Sequence, residues 1–131
     1  MTTTVGYIVG SLSSTSLTRT VFEAVRLNAP AGVEVTEIEI KDLPLYSPDH
    51  DGAYPAAAMA FKSAIAEADA VIVGTPTYND TFSGVVKNAI DWSSRPWGQH
   101  SFNGKQVAVV GSSISPHGGA KAADLLAAVL A

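Results

Sequence analysis

Polar and apolar residues fall along this chain in blocks of two kinds. Four short runs read as β-strands: "TVGYIVG" (residues 4–10), "VEVTEIEI" (33–40), "DAVIVG" (69–74) and "KQVAVVGSS" (105–113). The first, third and fourth are almost unbroken in hydrophobicity, the pattern of strands covered on both sheet faces. In the second, Val33, Val35, Ile38 and Ile40 are interleaved with Glu34, Glu37 and Glu39, which predicts a partly solvated edge strand. Between the strands the period lengthens. Leu17, Val21, Ala24 and Val25 mark one helical face, Phe61, Ala64, Ile65 and Ala68 a second, and Phe82, Val86, Ala89 and Ile90 a third. Residues 120–131 are apolar nearly all round, so a helix there needs cover. The resulting β-α-β-α-β-α-β-α order predicts one α/β domain over residues 1–131, with a parallel sheet and right-handed crossovers. Residues 41–55, "KDLPLYSPDHDGAYP", are too rich in Pro, Asp and Gly for regular structure and read as a long loop.

Composition narrows the partners. With 131 residues the chain can bury one real core, and 47% hydrophobic against 15% charged residues argue against disorder. Eight basic and twelve acidic residues give −4, so no nucleic acid and no anionic membrane surface is expected to bind through a basic patch. A small anion remains open, because a helix N-terminus binds phosphate without net positive charge. There is no cysteine, hence no disulfide and no thiolate chemistry. The N-terminal "MTTTVGYIVGS" lacks a basic leader, and no apolar run approaches the roughly 18 residues of a membrane span. A soluble, cytoplasmic protein is expected.

Two strand-to-helix turns carry the chemistry. In the first, "GSLSSTSLTR", Ser11, Ser13, Ser14, Thr15, Ser16 and Thr18 crowd the start of a helix. Unpaired N–H groups and the positive end of the dipole face outward there, and hydroxyls complete a shell for phosphate. One helix cap needs one hydroxyl, not six. The turn is neither the Gly-rich dinucleotide fingerprint nor a P-loop. In the second, "TPTYND", Pro76 stiffens the loop, Tyr78 offers an aromatic face, and Asn79 supplies donor and acceptor for the edge of a heteroaromatic ring. Gly84 permits close backbone approach. The blander alternative makes Tyr78 a core cap and Asn79 an Asx turn. Both turns, and "GSSISPHGGA" after the fourth strand, follow the C-terminal ends of parallel strands, where open α/β sheets bind ligands.

Taken together, "GSLSSTSLT", "TPTYNDTFSGVVKNAIDW" and the "GSS…HGGAKA" stretch resemble the three flavin-contacting segments of the NADPH-dependent FMN reductase family, flavodoxin-like proteins that include quinone, chromate and azo-dye reductases. The resemblance runs in order over nearly the whole chain, and the middle motif is its most distinctive part. It implies a flavodoxin-like three-layer α/β sandwich with strand order 2-1-3-4 and the family's fifth strand missing. It implies that Ser11, Leu12, Ser13, Ser14, Thr15, Ser16, Leu17 and Thr18 wrap the FMN phosphate. Pro76, Thr77, Tyr78 and Asn79 would line the isoalloxazine ring, and Ser113 would sit near its other edge. The implied activity is transfer of hydride from NADPH or NADH through FMN to a quinone-like or other small electron acceptor, with no side chain acting as acid or base. A homodimer or homotetramer is the implied assembly.

The family usually has arginine where Ser13 stands, asparagine where Thr18 stands and glutamate where Thr77 stands. It also continues past "GGAKAADLLAAVLA", so a truncated chain, or a partner covering the fourth strand, is expected. A flavodoxin-type electron carrier without a nicotinamide site, and a scaffold that has lost FMN, stay open as alternatives. Among other residues, Asp42, Asp49, His50 and Asp51 match no metal cage and read as a solvated loop. His117 is expected to cap the final helix. Ser112 and Ser113 lack a nucleophile elbow. Trp92, Trp97 and Phe102 form an aromatic group suited either to subunit contact or to burial under the 49–55 loop.

Overall fold

The computed structural model describes residues 1–131. Strands β1 (Thr3–Val9), β2 (Val33–Glu37), β3 (Ala70–Pro76) and β4 (Gln106–Ser112) alternate with helices α1 (Leu17–Leu27), α2 (Ala56–Glu67), α3 (Gly84–Ser93) and α4 (Ala120–Leu130). All pairings are parallel and the sheet order is β2-β1-β3-β4, as expected for a flavodoxin-like sandwich. Register runs from Thr3 opposite Val33, Val5 opposite Ala70, and Ala70 opposite Gln106. No helix is long and apolar enough to cross a membrane.

The side-chain alternation of these strands builds two cores. Ile8, Val71 and Val73 point to one face and meet Phe61 and Ile65 of α2, Val86, Ala89 and Trp92 of α3, and Leu126 of α4. Tyr7 and Val9 point to the other and meet Phe22 of α1 and Val35 of β2. β2 is shorter than the sequence suggests, ending at Glu37 rather than residue 40. Val35 packs in the α1 core while Ile38 and Ile40, an odd number of residues away, pack in the other. A straight strand gives that same placement; the chain makes a last ladder bond from Ile38 N–H to the Tyr7 carbonyl (2.8 Å). It then peels off to bury Ile40.

The 41–55 loop is irregular apart from a short 3-10 turn at Pro48–His50, and it closes over α3. Trp92 is fully buried beneath it, with Tyr46, His50 and Tyr54 at ring-centroid distances of 5.1, 5.4 and 6.1 Å, and its indole N–H donates to the Pro44 carbonyl (2.7 Å). Burial under the loop is therefore the role of Trp92, and Phe102 is buried in the same core. Trp97 differs: it is 84% exposed, with the Arg95 guanidinium between it and Tyr46. The segment carrying it is held by Lys62, whose Nζ donates to the Ser93 and Gln99 carbonyls and to Ser101 Oγ (3.0, 3.3 and 2.6 Å). Burial pulls the Lys62 ammonium below its ordinary pKa.

One core atom has no partner. The Tyr7 hydroxyl is buried without a hydrogen bond, and burial raises its pKa. It lies so close to the bare Cα of Gly74 that a Cβ there would sit 3.2 Å from the oxygen. A buried hydroxyl without a partner costs stability, so Tyr7→Phe is expected to be neutral or to stabilise by up to about 1 kcal/mol in urea unfolding. A loss of comparable size would mean that a buried water satisfies the hydroxyl.

Candidate functional site

β1 and β3 are neighbours whose crossovers leave in opposite directions, to β2 and to β4. The crevice outside their carboxyl ends is the switch point of the sheet. Both chemically rich turns open there.

The first turn grows from Gly10, whose N–H donates to the Gly74 carbonyl (2.8 Å) and extends the β1–β3 ladder by one residue. Ser11 Oγ then accepts from Ser13 N–H (3.2 Å), and Ser13 Oγ accepts from Thr15 N–H (3.3 Å), so these hydroxyls shape the turn. Ser16 is the N-cap of α1, accepting from Arg19 N–H (3.0 Å). The first helical N–H groups, on Leu17 and Thr18, have no acceptor in the chain. Leu12, Ser13, Ser14 and Thr15 face solvent around them, and Leu17 is exposed at the same rim. Thr18 is the exception. Its side chain is buried, and its Oγ1 shares a hydrogen bond with Ser112 Oγ (2.9 Å). Arg19, which borders the turn, is committed elsewhere: its fork grips both oxygens of Glu37 (2.9 and 2.8 Å), an ion pair that raises its pKa.

The second turn follows Pro76. Tyr78 and Thr81 exchange both backbone hydrogen bonds (3.0 and 3.1 Å), with Asn79 and Asp80 between them at φ 52° and 65°. Positive φ at both central residues is the signature of a type I′ turn, which Asn and Asp tolerate. Asn79 thus serves first as a turn residue, with its side chain exposed at the tip, while Tyr78 is 51% exposed beside it. Thr77 Oγ1 donates to the Ser112 carbonyl (3.3 Å), tying this turn to the end of β4. An exposed ion pair, Lys121 with Asp80 at 3.5 Å, links the tip to α4.

Ser11, Leu12 and Ser13 from the first turn and Tyr78 from the second stand on two walls of one cavity of about 350 Å³, floored by Ser83, Gly84 and Val85. That volume falls in the range of small-ligand sites. A slightly larger groove, about 390 Å³, lies between the β2 exit and α2, but Glu37, Glu39 and Asp42 surround it and disfavour an anion. The third rim segment contributes Ser112, buried at the end of β4, and Ser113, half-buried, whose Oγ accepts from Ser115 N–H (3.1 Å). Neither lines the cavity; Ser112 is tied to the first turn's helix by Thr18 and to the second turn by Thr77. His117 is exposed, and α4 is capped by Gly119 with no side-chain bond, which corrects the expectation that His117 caps it. The reason is packing: Gly119 lies directly on Gly111 of β4, leaving no room for a capping side chain. In the 41–55 loop, His50 packs on Trp92 and Asp51 accepts from the Tyr46 hydroxyl (2.8 Å).

Sequence reasoning overlooked Thr75 and Ser83. Both are buried hydroxyls; Ser83 lines the cavity and Thr75 lies behind it, accepting from Ser83 N–H (3.2 Å), and only Ser83 left a trace, as a serine immediately ahead of a helical pattern.

Known proteins with similar sequences bear on this geometry. The sequence profile of the NADPH-dependent FMN reductase family matches residues 3–131. The chain is 42% identical over 127 residues to a 2-hydroxy-1,4-benzoquinone reductase from a Burkholderia species, covering 97% of this chain and 69% of that protein. It is 43% identical over 113 residues to a quinone reductase from Pseudomonas putida, covering 86% and 60%. The fold superposes on the flavoenzyme NAD(P)H:(acceptor) oxidoreductase FerB from Paracoccus denitrificans with a TM-score of 0.93 and 38% identity, over 98% of this chain and 70% of that one. The chain thus spans between 60% and 70% of the lengths of these relatives.

Proposed function

Because this chain belongs to the NADPH-dependent FMN reductase family, we propose that it is an FMN-dependent oxidoreductase passing hydride from NAD(P)H to a quinone-like or other small acceptor. The observation that carries this reading is the facing of Ser11–Ser13 and Tyr78 across one cavity at the β1/β3 switch point. Three features fit FMN. The unpaired N–H groups of Leu17 and Thr18, at the positive end of α1, suit a phosphate. The solvent-facing hydroxyls of Ser13, Ser14 and Thr15 complete its shell. The half-exposed Tyr78, with Pro76, Thr77, Asn79 and Ser113 around the rim, suits a flat ring with polar edges.

When bound, FMN supplies the hydride-accepting and hydride-donating centre. The chain then has positioning work to do. Backbone N–H groups of Leu17 and Thr18 would anchor the anion, Tyr78 would pack against the ring, and the open side of the cavity would leave room for donor and acceptor. On this reading no side chain need act as a general acid or base, because the chemistry resides in the cofactor. The same reading puts the protein in the cytoplasm, with access to NAD(P)H, and in a homodimer or homotetramer with Trp97 and Arg95 on the shared surface.

Anaerobic addition of NADPH to protein saturated with FMN tests the activity. Loss of the flavin absorbance, restored by a benzoquinone, is expected. Bound flavin that NADPH and NADH leave oxidised would make the protein a carrier, and no flavin uptake would make it an empty scaffold.

A further inference from the structure

Ser83 makes bonds that helix capping does not require. As the N-cap of α3 it accepts from Val86 N–H (3.3 Å), which is all that a cap needs. Yet its own hydroxyl proton goes to the Gly10 carbonyl at 2.6 Å, 73 residues away, where the first turn leaves β1. Its backbone N–H donates to Thr75 Oγ1 (3.2 Å), whose proton goes to the Pro76 carbonyl (2.8 Å). Ser83 is 1% exposed, so these bonds have no competing water. It lies in the floor of the cavity, between the wall that carries Ser11–Ser13 and the wall that carries Tyr78.

We propose that Ser83 is a positioning residue that fixes the spacing between the phosphate turn and the ring turn, so that the two ends of FMN bind as one two-point ligand. This rests on the flavin reading above. A ligand held at two points gains from each contact only when the second site is already at the right distance; spreading the walls forfeits that advantage while leaving each half-site chemically intact. The residue that sets the spacing therefore governs the extra affinity that the phosphate confers, which a purely structural serine does not.

That separation is measurable by comparing FMN with riboflavin, which carries the ring without the phosphate. Ser83→Gly is the first variant, because glycine remains a tolerable N-cap and spares the helix. Ser83→Ala removes hydroxyl and cap together, and Ser83→Thr restores both. Dissociation constants for both flavins are taken by fluorescence, well below each variant's melting temperature. Ser83→Gly and Ser83→Ala are expected to weaken FMN by about tenfold or more while riboflavin changes by less than about threefold, shrinking the preference for FMN. Ser83→Thr is expected to recover most of it. Equal weakening of both flavins, or an unchanged preference in folded Ser83→Gly, would overturn the proposal. Wild-type protein that binds neither flavin would overturn the flavin reading itself, an outcome independent of any variant.

Discussion

Gly10→Ala is expected to cost about 3 kcal/mol or more of folding stability and to abolish the cavity with it. A Cβ on Gly10 would overlap the Gly74 carbonyl oxygen and Val86 Cγ2, and would lie 3.3 Å from Thr75 Cα. Neither obstacle can retreat. The Gly74 oxygen is accepting the last β1–β3 ladder bond from Gly10 itself, and Val86 is buried in the first turn of α3. The Gly10 carbonyl is held in turn by Ser83. Strain therefore spreads into β1, β3 and α3 together, against a total stability of about 5–15 kcal/mol for a domain of this kind. Urea unfolding measures it, with Gly52→Ala as control, since a Cβ there meets nothing within 4 Å. An unchanged midpoint for Gly10→Ala would mean that the two turns do not converge as described.

Tyr78→Ala is expected to do the reverse. The ring is half exposed, and its turn is held by backbone bonds to Thr81 that truncation leaves in place, so the melting temperature should barely move. Stacking of an aromatic side chain on a heterocycle contributes about 1–3 kcal/mol, so FMN affinity should fall roughly tenfold to a hundredfold. Calorimetric titration beside a thermal melt reads both. Parallel losses in affinity and in melting temperature would return Tyr78 to the scaffold.

The two variants divide the molecule along the line that separates what the sequence makes legible from what it hides. The runs around Ile8 and Val73 are apolar in nearly every position, because both sheet faces are covered, and they read as strands at sight. The run around Val109 has the same pattern, but β4 is the sheet edge and most of it is only partly buried, so the expectation of cover on both faces fails there. The β2 exit was less legible: its interleaved Glu residues suggest one strand to residue 40, whereas regular pairing ends at Glu37 and the chain leaves to bury Ile40. At the rim, crowded hydroxyls and the Pro-Tyr-Asn sequence mark the two turns locally. What joins the turns is not local. The Ser83–Gly10 bond spans 73 residues and the Thr18–Ser112 bond spans 94, and each exists only once the sheet sets its register. For the same reason Thr18, read from the sequence as a phosphate contact, turns its side chain inward, where Ser112 meets it. Asn79 was ambiguous because one residue type serves both positive-φ turns and ring edges.

The decisive measurement is a backbone amide spectrum of the protein titrated with FMN and, separately, with inorganic phosphate. FMN is predicted to shift amides in three segments, Ser11 to Thr18, Thr77 to Asn79 and Ser112 to Ser113, while phosphate shifts only the first. Perturbations centred on the acidic β2–α2 groove, or a phosphate that leaves the α1 start untouched, would contradict the account.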